Sequence, residues 1–259
     1  MKAKPKNEKN TVKNKVKTKA DCKEPKATVT ISEKSLSTFI NAVVDCNEQA
    51  MLHIATDKIR ATLVDNGNVY MVAAECECKP TIDDGAPEKI GVDFTLFKKT
   101  LMHATGSNIT LTFTKNDIVV AYGRFTAKIP TVEIGFIKKE PSSIPKMALD
   151  TSFEIPGKYL SDACRTVTRN GKIFIYVKSK VVYIAANEGD LCMKEVVGTV
   201  DKPSQARSLF SNDYLSLIAK SIKDVSVACT MGIDHPIKMT AEKDGCKLMF
   251  LLAPRIEAD

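Results

Sequence analysis

Cys76 and Cys78 form a C-x-C pair, and on a strand both thiols would face one side, as two ligands of a soft metal do. No second Cys or His pair stands at finger-like spacing, and His53, His103 and His235 are scattered. The pair therefore reads first as two small core hydrophobes. The acidic run from Asn187 to Asp190 could hold a metal for hydrolytic work, but its place between two strand-like segments fits a turn better. There is no phosphate-cradling G-x-x-x-x-G-K-[ST] loop, no G-x-G-x-x-G and no H-E-x-x-H. Enzyme is the weakest reading of the chain, and neither a metal nor a cofactor is expected.

The eight cysteines are even in number, yet the chain is 259 residues long and its basic N-terminus has no apolar stretch behind it. That combination predicts reduced thiols inside a cell rather than a disulfide framework. No apolar run approaches the length that spans a bilayer, so no membrane partner is expected.

The net charge of +7 is unevenly placed. Residues 1–27 hold ten lysines against Glu8, Asp21 and Glu24, which accounts for the whole excess. With few apolar residues beyond Val12 and Val16, this tail is predicted to be disordered. It reads as a loose electrostatic hold on nucleic acid, as a localisation signal, or as a solvated tail that aids solubility.

The body, neutral in sum, shows four stretches of helical periodicity. Leu36, Phe39, Ile40, Val43 and Val44 share one face, as do Phe94, Phe97 and Leu101. Leu160, Ala163, Cys164 and Val167 form a third stripe, and Leu215, Ile218, Ala219 and Ile222 a fourth. Ser32, Asp93 and Ser211 are N-cap candidates, and Pro156 stands where a helix start tolerates proline. Between these stretches, segments such as "NITLTFTK", "GRFTAKIPTV" and "KLMFLLAP" read as strands broken by Gly, Asn and Asp turns. The first and third helices, and the second and fourth, are separated by nearly the same length of chain. Residues 62–75 and 185–198 fall in matching slots, each an acidic turn followed by a strand. The fold class is α+β: two similar halves, each two helices on antiparallel sheet, joined by a linker rich in Pro and Ser around residues 133–151.

The helical segments carry Lys34, Lys98, Lys99, Lys158, Arg165, Arg169, Lys220 and Lys223 against only Asp45, Asp162 and Asp213. One basic helix face is usually just solvated. Four in repeated positions suit the phosphates of a nucleic-acid backbone, held without reading of sequence.

The C-terminal stretch "GIDHPIKMTAEKDGCKLMFLLAPRIE" resembles that of the proliferating cell nuclear antigen family of sliding clamps, with Gly232, Asp234, Pro236 and the closing "LAPRIE" as its most specific marks. "TLVDNGNVYMVAAE", "KIGVDFTLFKKTL" and "SNDYLSLIAKSI" resemble further segments of that family, and the likeness covers about residues 28 to 257. It implies a homotrimeric ring whose helices line a hole and whose sheets form the outside. Such a ring encircles double-stranded DNA, slides, and tethers DNA polymerase and other replication and repair enzymes after a clamp loader closes it. On this resemblance the chain divides into a tail (1–27), an N-terminal clamp domain (28–134), an interdomain linker (135–150) and a C-terminal clamp domain (151–257). Its setting would be intracellular, at replicating DNA: the nucleus, or the nucleoid or cytoplasm of an archaeal or viral system.

The resemblance also assigns sites. The eight helix cations above would face DNA, Arg169 and Lys34 less directly. A pocket for partner peptides would be built from Val64, Asn68, Val69, Met71, Phe136, Ile137 and Pro236, together with Leu251, Leu252, Ala253, Pro254 and Ile256. The subunit contact would pair Arg124, Phe125, Ala127 and Ile129 of one edge strand with Leu191, Met193 and Val196 of the next chain. The sequence departs from the family pattern at Val64, where methionine is usual, and at Lys138 and Lys139 in a linker that is usually acidic. Two other readings stay open: one subunit of a heterotrimeric clamp, replicative or checkpoint, and a monomeric viral processivity factor that slides on a basic face.

Overall fold

The computed structural model describes residues 24–145, 147, 149–168 and 170–256. Most of the segment predicted to be disordered, residues 1–27, lies outside that range.

The first half runs β1 (Ala27–Ser32), α1 (Glu33–Val44), β2 (Gln49–Ile54), β3 (Lys58–Val64), β4 (Tyr70–Glu77), β5 (Thr81–Ile82), β6 (Lys89–Asp93), α2 (Phe94–Thr100), β7 (Asn108–Phe113), β8 (Asp117–Tyr122) and β9 (Phe125–Pro130). After a 3₁₀ turn at Ile134–Phe136 the second half follows the same plan: β10 (Thr151–Pro156), α3 (Gly157–Thr166), β11 (Lys172–Glu188), β12 (Leu191–Ser211), α4 (Asn212–Ile222), β13 (Ser226–Met231), β14 (Ile237–Lys243) and β15 (Cys246–Leu252). The long hairpin β11–β12 does in two strands what β2, β3, β4 and β6 do in four. Lys172 to Ser179 pair with Ser204 to Ser211, and Val181 to Glu188 with Leu191 to Thr199. The register shifts after Ser179, whose φ is +58°, at the point where the first half breaks into separate strands.

The helices form for the reasons the periodicity gives, with two differences at their ends. Ser32 caps α1 by accepting from Ser35 N at 3.1 Å, and Asp93 caps α2 by accepting from Leu96 N at 2.8 Å. Ser211 occupies the N-cap of α4, but its hydroxyl makes no capping bond. The next residue acts instead. The Asn212 amide donates to the carbonyls of Cys164, Val167 and Thr168 at 2.9, 3.3 and 3.0 Å. It thereby satisfies acceptors that the end of α3 leaves open. Pro156 precedes α3 without a side-chain cap, and Gly157 follows because a Cβ there would collide with the Ile222 carbonyl.

Three sheets result. A five-stranded sheet has the order β5-β1-β7-β8-β9, and β11-β12 stand as a pair. The third has eight strands in the order β10-β13-β14-β15-β4-β3-β2-β6. The repeat predicts a sheet for each half; the largest sheet is instead shared, four strands from each half, with β15 against β4 at the seam. Tyr70 on β4 and Phe250 on β15 stack across that seam, ring centroids 6.4 Å apart and nearly parallel. Both are buried in one continuous core with Leu36, Phe39, Phe97, Phe113 and Phe210.

Asp65, 8% exposed, ties the seam together. Its carboxylate accepts from the backbone N–H of Gly67, Val69 and Tyr70, and from the Tyr214 hydroxyl on α4 at 3.0 Å. Burial and this bond both push the Tyr214 hydroxyl pKa upward. Asp65→Ala strands three backbone donors and one hydroxyl. The expected loss is about 3 kcal/mol in a denaturant titration; a loss within error of zero would mean that the 65–70 loop is held by other contacts.

Candidate functional site

The helices lie in one layer. α1 packs on α2, α3 packs on α4, and α1 meets α4 across the seam. On the side of this layer away from the sheets, Lys34, Lys98, Lys99, Lys158, Arg165, Lys220 and Lys223 are all exposed. Arg169 lies outside the described residues. Arg165 stands 3.9 Å from Asp162, and Lys220 stands 3.5 Å from Asp45 on the neighbouring helix. Among the described residues no carboxylate lies within salt-bridge distance of Lys34, Lys98, Lys99, Lys158 or Lys223. These five ammonium groups are solvated and free to meet an anionic backbone. α2 also exposes Leu96, at 41%, and the turn after it exposes Met102, at 71%, so its lysines lie near exposed apolar side chains.

The other face of the eight-stranded sheet is apolar at its centre. Alternation along β15 sends Leu248, Phe250 and Leu252 into the main core and Met249 and Leu251 to the far side. There they meet Met71 of β4, with Val64 and Ala73 beside them. Leu252, named with the partner-binding residues, is wholly buried and offers a partner no side chain. Met71 and Leu251 are 5% and 8% exposed because Met147, from the linker, packs over them. Met147 and Met249 were not legible as site residues; the only signal was an unbroken apolar run, "LMFLL", which requires cover on both faces.

The segment 132–140, which leads into the linker, is fastened to the first half at four points. Val132 bridges to Gly91, and Ile137, 8% exposed, fills the space where a Cβ on Gly91 would sit. The Lys138 ammonium donates to Asp65 O at 2.6 Å and to Asn68 Oδ1 at 2.9 Å. The Glu140 carboxylate meets His53 Nε2 at 2.8 Å. Asn68 holds a left-handed φ of +55° at this turn, a conformation asparagine tolerates. The C-terminal strap is pinned by backbone bonds from Ala253 N to Val69 O and from Arg255 N to Leu209 O, at 2.9 and 2.7 Å. Val69, Pro236, Ala253 and Pro254 are half-buried along it, while Phe136 and Ile256 stand out at 81% and 89% exposure.

The expected subunit edges are also placed. β9 is the outer strand of its sheet, and Leu191 to Val196 form one arm of the β11–β12 hairpin with no strand on its far side among the described residues. Phe125, Leu191 and Val196 are exposed, as is Arg124; Ala127 and Met193 are half-buried. Ile129 points into the core at 3% exposure, so its contribution to an edge contact is backbone alone. The C-x-C pair is split: Cys76 is buried inside β4, whereas Cys78 lies beyond the strand's end.

No protein-family model matches the chain. The DNA polymerase sliding clamp of Methanocorpusculum labreanum is 30% identical over 235 residues, covering 85% of this chain and 94% of that protein. The one from Methanocella arvoryzae is 31% identical with the same coverage. Among solved structures, A. fulgidus PCNA with the C-terminal region of FEN-1 bound superposes with a TM-score of 0.80 at 20% identity, over 90% of this chain and all of that one. PCNA from Entamoeba histolytica gives 0.74 at 17% identity, over 89% and 99%. The antiparallel sheets, the four-helix layer and a 30% identity sustained across nearly the whole length of a curated relative place the chain in the DNA polymerase sliding clamp family.

Proposed function

We propose that the chain works as a processivity clamp: three copies close around duplex DNA, slide on it without reading sequence, and tether DNA polymerase and other replication and repair enzymes. Its place is inside the cell at replicating DNA, and its work is mechanical rather than catalytic. The observation that carries this reading is the single helix layer, whose outward cations are mostly unpaired, lying opposite a sheet face with an apolar centre. Unpaired, mobile ammonium groups suit sliding, because each phosphate contact is weak and replaceable as the duplex moves. The division into an N-terminal domain over 28–134, a linker over 135–150 and a C-terminal domain over 151–257 follows the repeated element order.

In this reading the partner peptide docks between the linker and the C-terminal strap. The solved A. fulgidus clamp carries a segment of a partner enzyme, which favours such a mode here. The apolar floor of Met71, Met249 and Leu251 lies beneath Met147, so an incoming anchor must move that side chain. Lys139 is exposed near Phe136 and adds positive charge to the rim, which favours peptides with acidic flanks.

Three outcomes test the reading. Light scattering across a concentration series should give three times 28.4 kDa. A mass of one subunit at every concentration would sink the homotrimer and point to a paralogous partner chain. Replacing Lys98 and Lys99 together by alanine should weaken retention on circular duplex and flatten its salt dependence, by about 0.9 in logarithmic slope per lost phosphate contact. The native mass should not change; dissociation of the ring would make those lysines structural. Met147→Ala should tighten binding of a peptide with aliphatic and aromatic anchors severalfold by calorimetry, and an unchanged affinity would place the anchors elsewhere.

A further inference from the structure

Cys76 and Cys246 stand directly opposite each other on β4 and β15. Opposed residues of an antiparallel pair have Cα atoms about 4.5–5.5 Å apart, inside the range that a disulfide spans, and their side chains leave the sheet on the same side. Here that side is the core, where both residues are buried and Cys246 Sγ donates to Ser35 O at 3.2 Å. The other described cysteines lack such a neighbour. Cys46, half-buried, and Cys164, buried, are single thiols whose pKa desolvation pushes up to about 12, and Cys229 is wholly enclosed. Cys78 lies past the end of β4, its thiol raised to about 11 chiefly by burial.

We propose that Cys76 and Cys246 are a redox-active dithiol that a small peroxide converts into a disulfide, stapling the first half of the chain to its last strand. Access comes at the β14–β15 turn, where an open groove of about 210 Å³ is lined by Glu77, Asp244, Gly245 and Cys246. Cys246 is the sulfur that peroxide reaches, because it lines that groove while Cys76 lies wholly buried behind it. The Cys246 thiolate attacks hydrogen peroxide: an S–O bond forms, the O–O bond breaks and hydroxide leaves, giving a sulfenic acid. Cys76 then attacks the Cys246 sulfur, the S–S bond forms and the S–O bond breaks. The two thiol protons end in water, so two thiols and one peroxide give one disulfide and two waters.

The staple closes the covalent loop from residue 76 to residue 246 and fixes the strand pair that also carries Met71 opposite Leu251. It requires no new backbone pairing, since the register already places the two residues opposite each other.

The test uses the full chain. It is incubated with hydrogen peroxide, denatured, alkylated at all free thiols, and digested without reductant. Mass spectrometry should show one cross-linked species joining the peptides of Cys76 and Cys246. The intact mass should fall by two hydrogens, dithiothreitol should reverse both changes, and the oxidised protein should melt at a higher temperature. Cys246→Ser should remove the cross-link, whereas Cys229→Ala, equally buried, should leave it in place. Full alkylation of Cys76 and Cys246 after peroxide, or a link from Cys76 to Cys78 instead, would overturn the proposal. Because the wild-type peptide map alone distinguishes these results, a variant that fails to fold does not blunt the test.

Discussion

Backbone pairing between β4 and β15 is the constraint on which the rest of the structure depends. Either strand alone would leave a row of unpaired N–H and C=O groups at a buried edge, which costs far more than pairing gains. Seven consecutive residue pairs, from Cys246–Cys76 to Leu252–Tyr70, remove that cost and make one sheet of two half-sheets. Once the sheet is continuous, α1 and α4 must lie side by side on it. The four helices then form a layer rather than two separate pairs, and that layer is what gathers the cations.

The same seam organises polar groups. Asp65 collects donors from its own turn and from Tyr214 on the second half, and Lys138 of the linker binds the carbonyl of the same residue. Linker, acidic turn and fourth helix are therefore fastened at one place. The linker's basic character has a local cause: Lys138 binds the Asp65–Asn68 turn, while Lys139 remains exposed. A single charge reversal in this neighbourhood would be felt by three elements together, because they share acceptors.

Much of this was legible in the residues. The helical stripes at Leu36, Phe94, Leu160 and Leu215 were readable because each helix buries one face against sheet, which imposes a 3.6-residue period. The repeat was readable because both halves solve the same packing problem. What escaped depends on tertiary cover. A strand covered on both faces loses its alternation, so nothing in "LMFLL" separates Leu252 of the core from Leu251 of the surface patch. Met147 has no periodic neighbours to mark it. Ile129 looks like an edge residue by position, yet its direction is set by the pleat of β9. Ser211 has the chemistry of a cap, but the burial of Asn212 beside the end of α3 gave the hydrogen-bonding work to its neighbour. Arg169, one of the eight expected DNA-facing cations, lies outside the described residues.

The place of β15 in the eight-stranded sheet has a consequence for how the chain comes into being. It is the last strand in sequence, yet it sits fourth in the sheet, with β14 on one side and β4 on the other. During synthesis the apolar edge of β4 is complete long before its partner leaves the ribosome. Closure of the core therefore waits on a contact of very long sequence separation, the kind that slows folding and exposes edges. The first half must spend that interval with β4 uncovered, and the nascent protein is most vulnerable to wrong pairing just before β15 emerges.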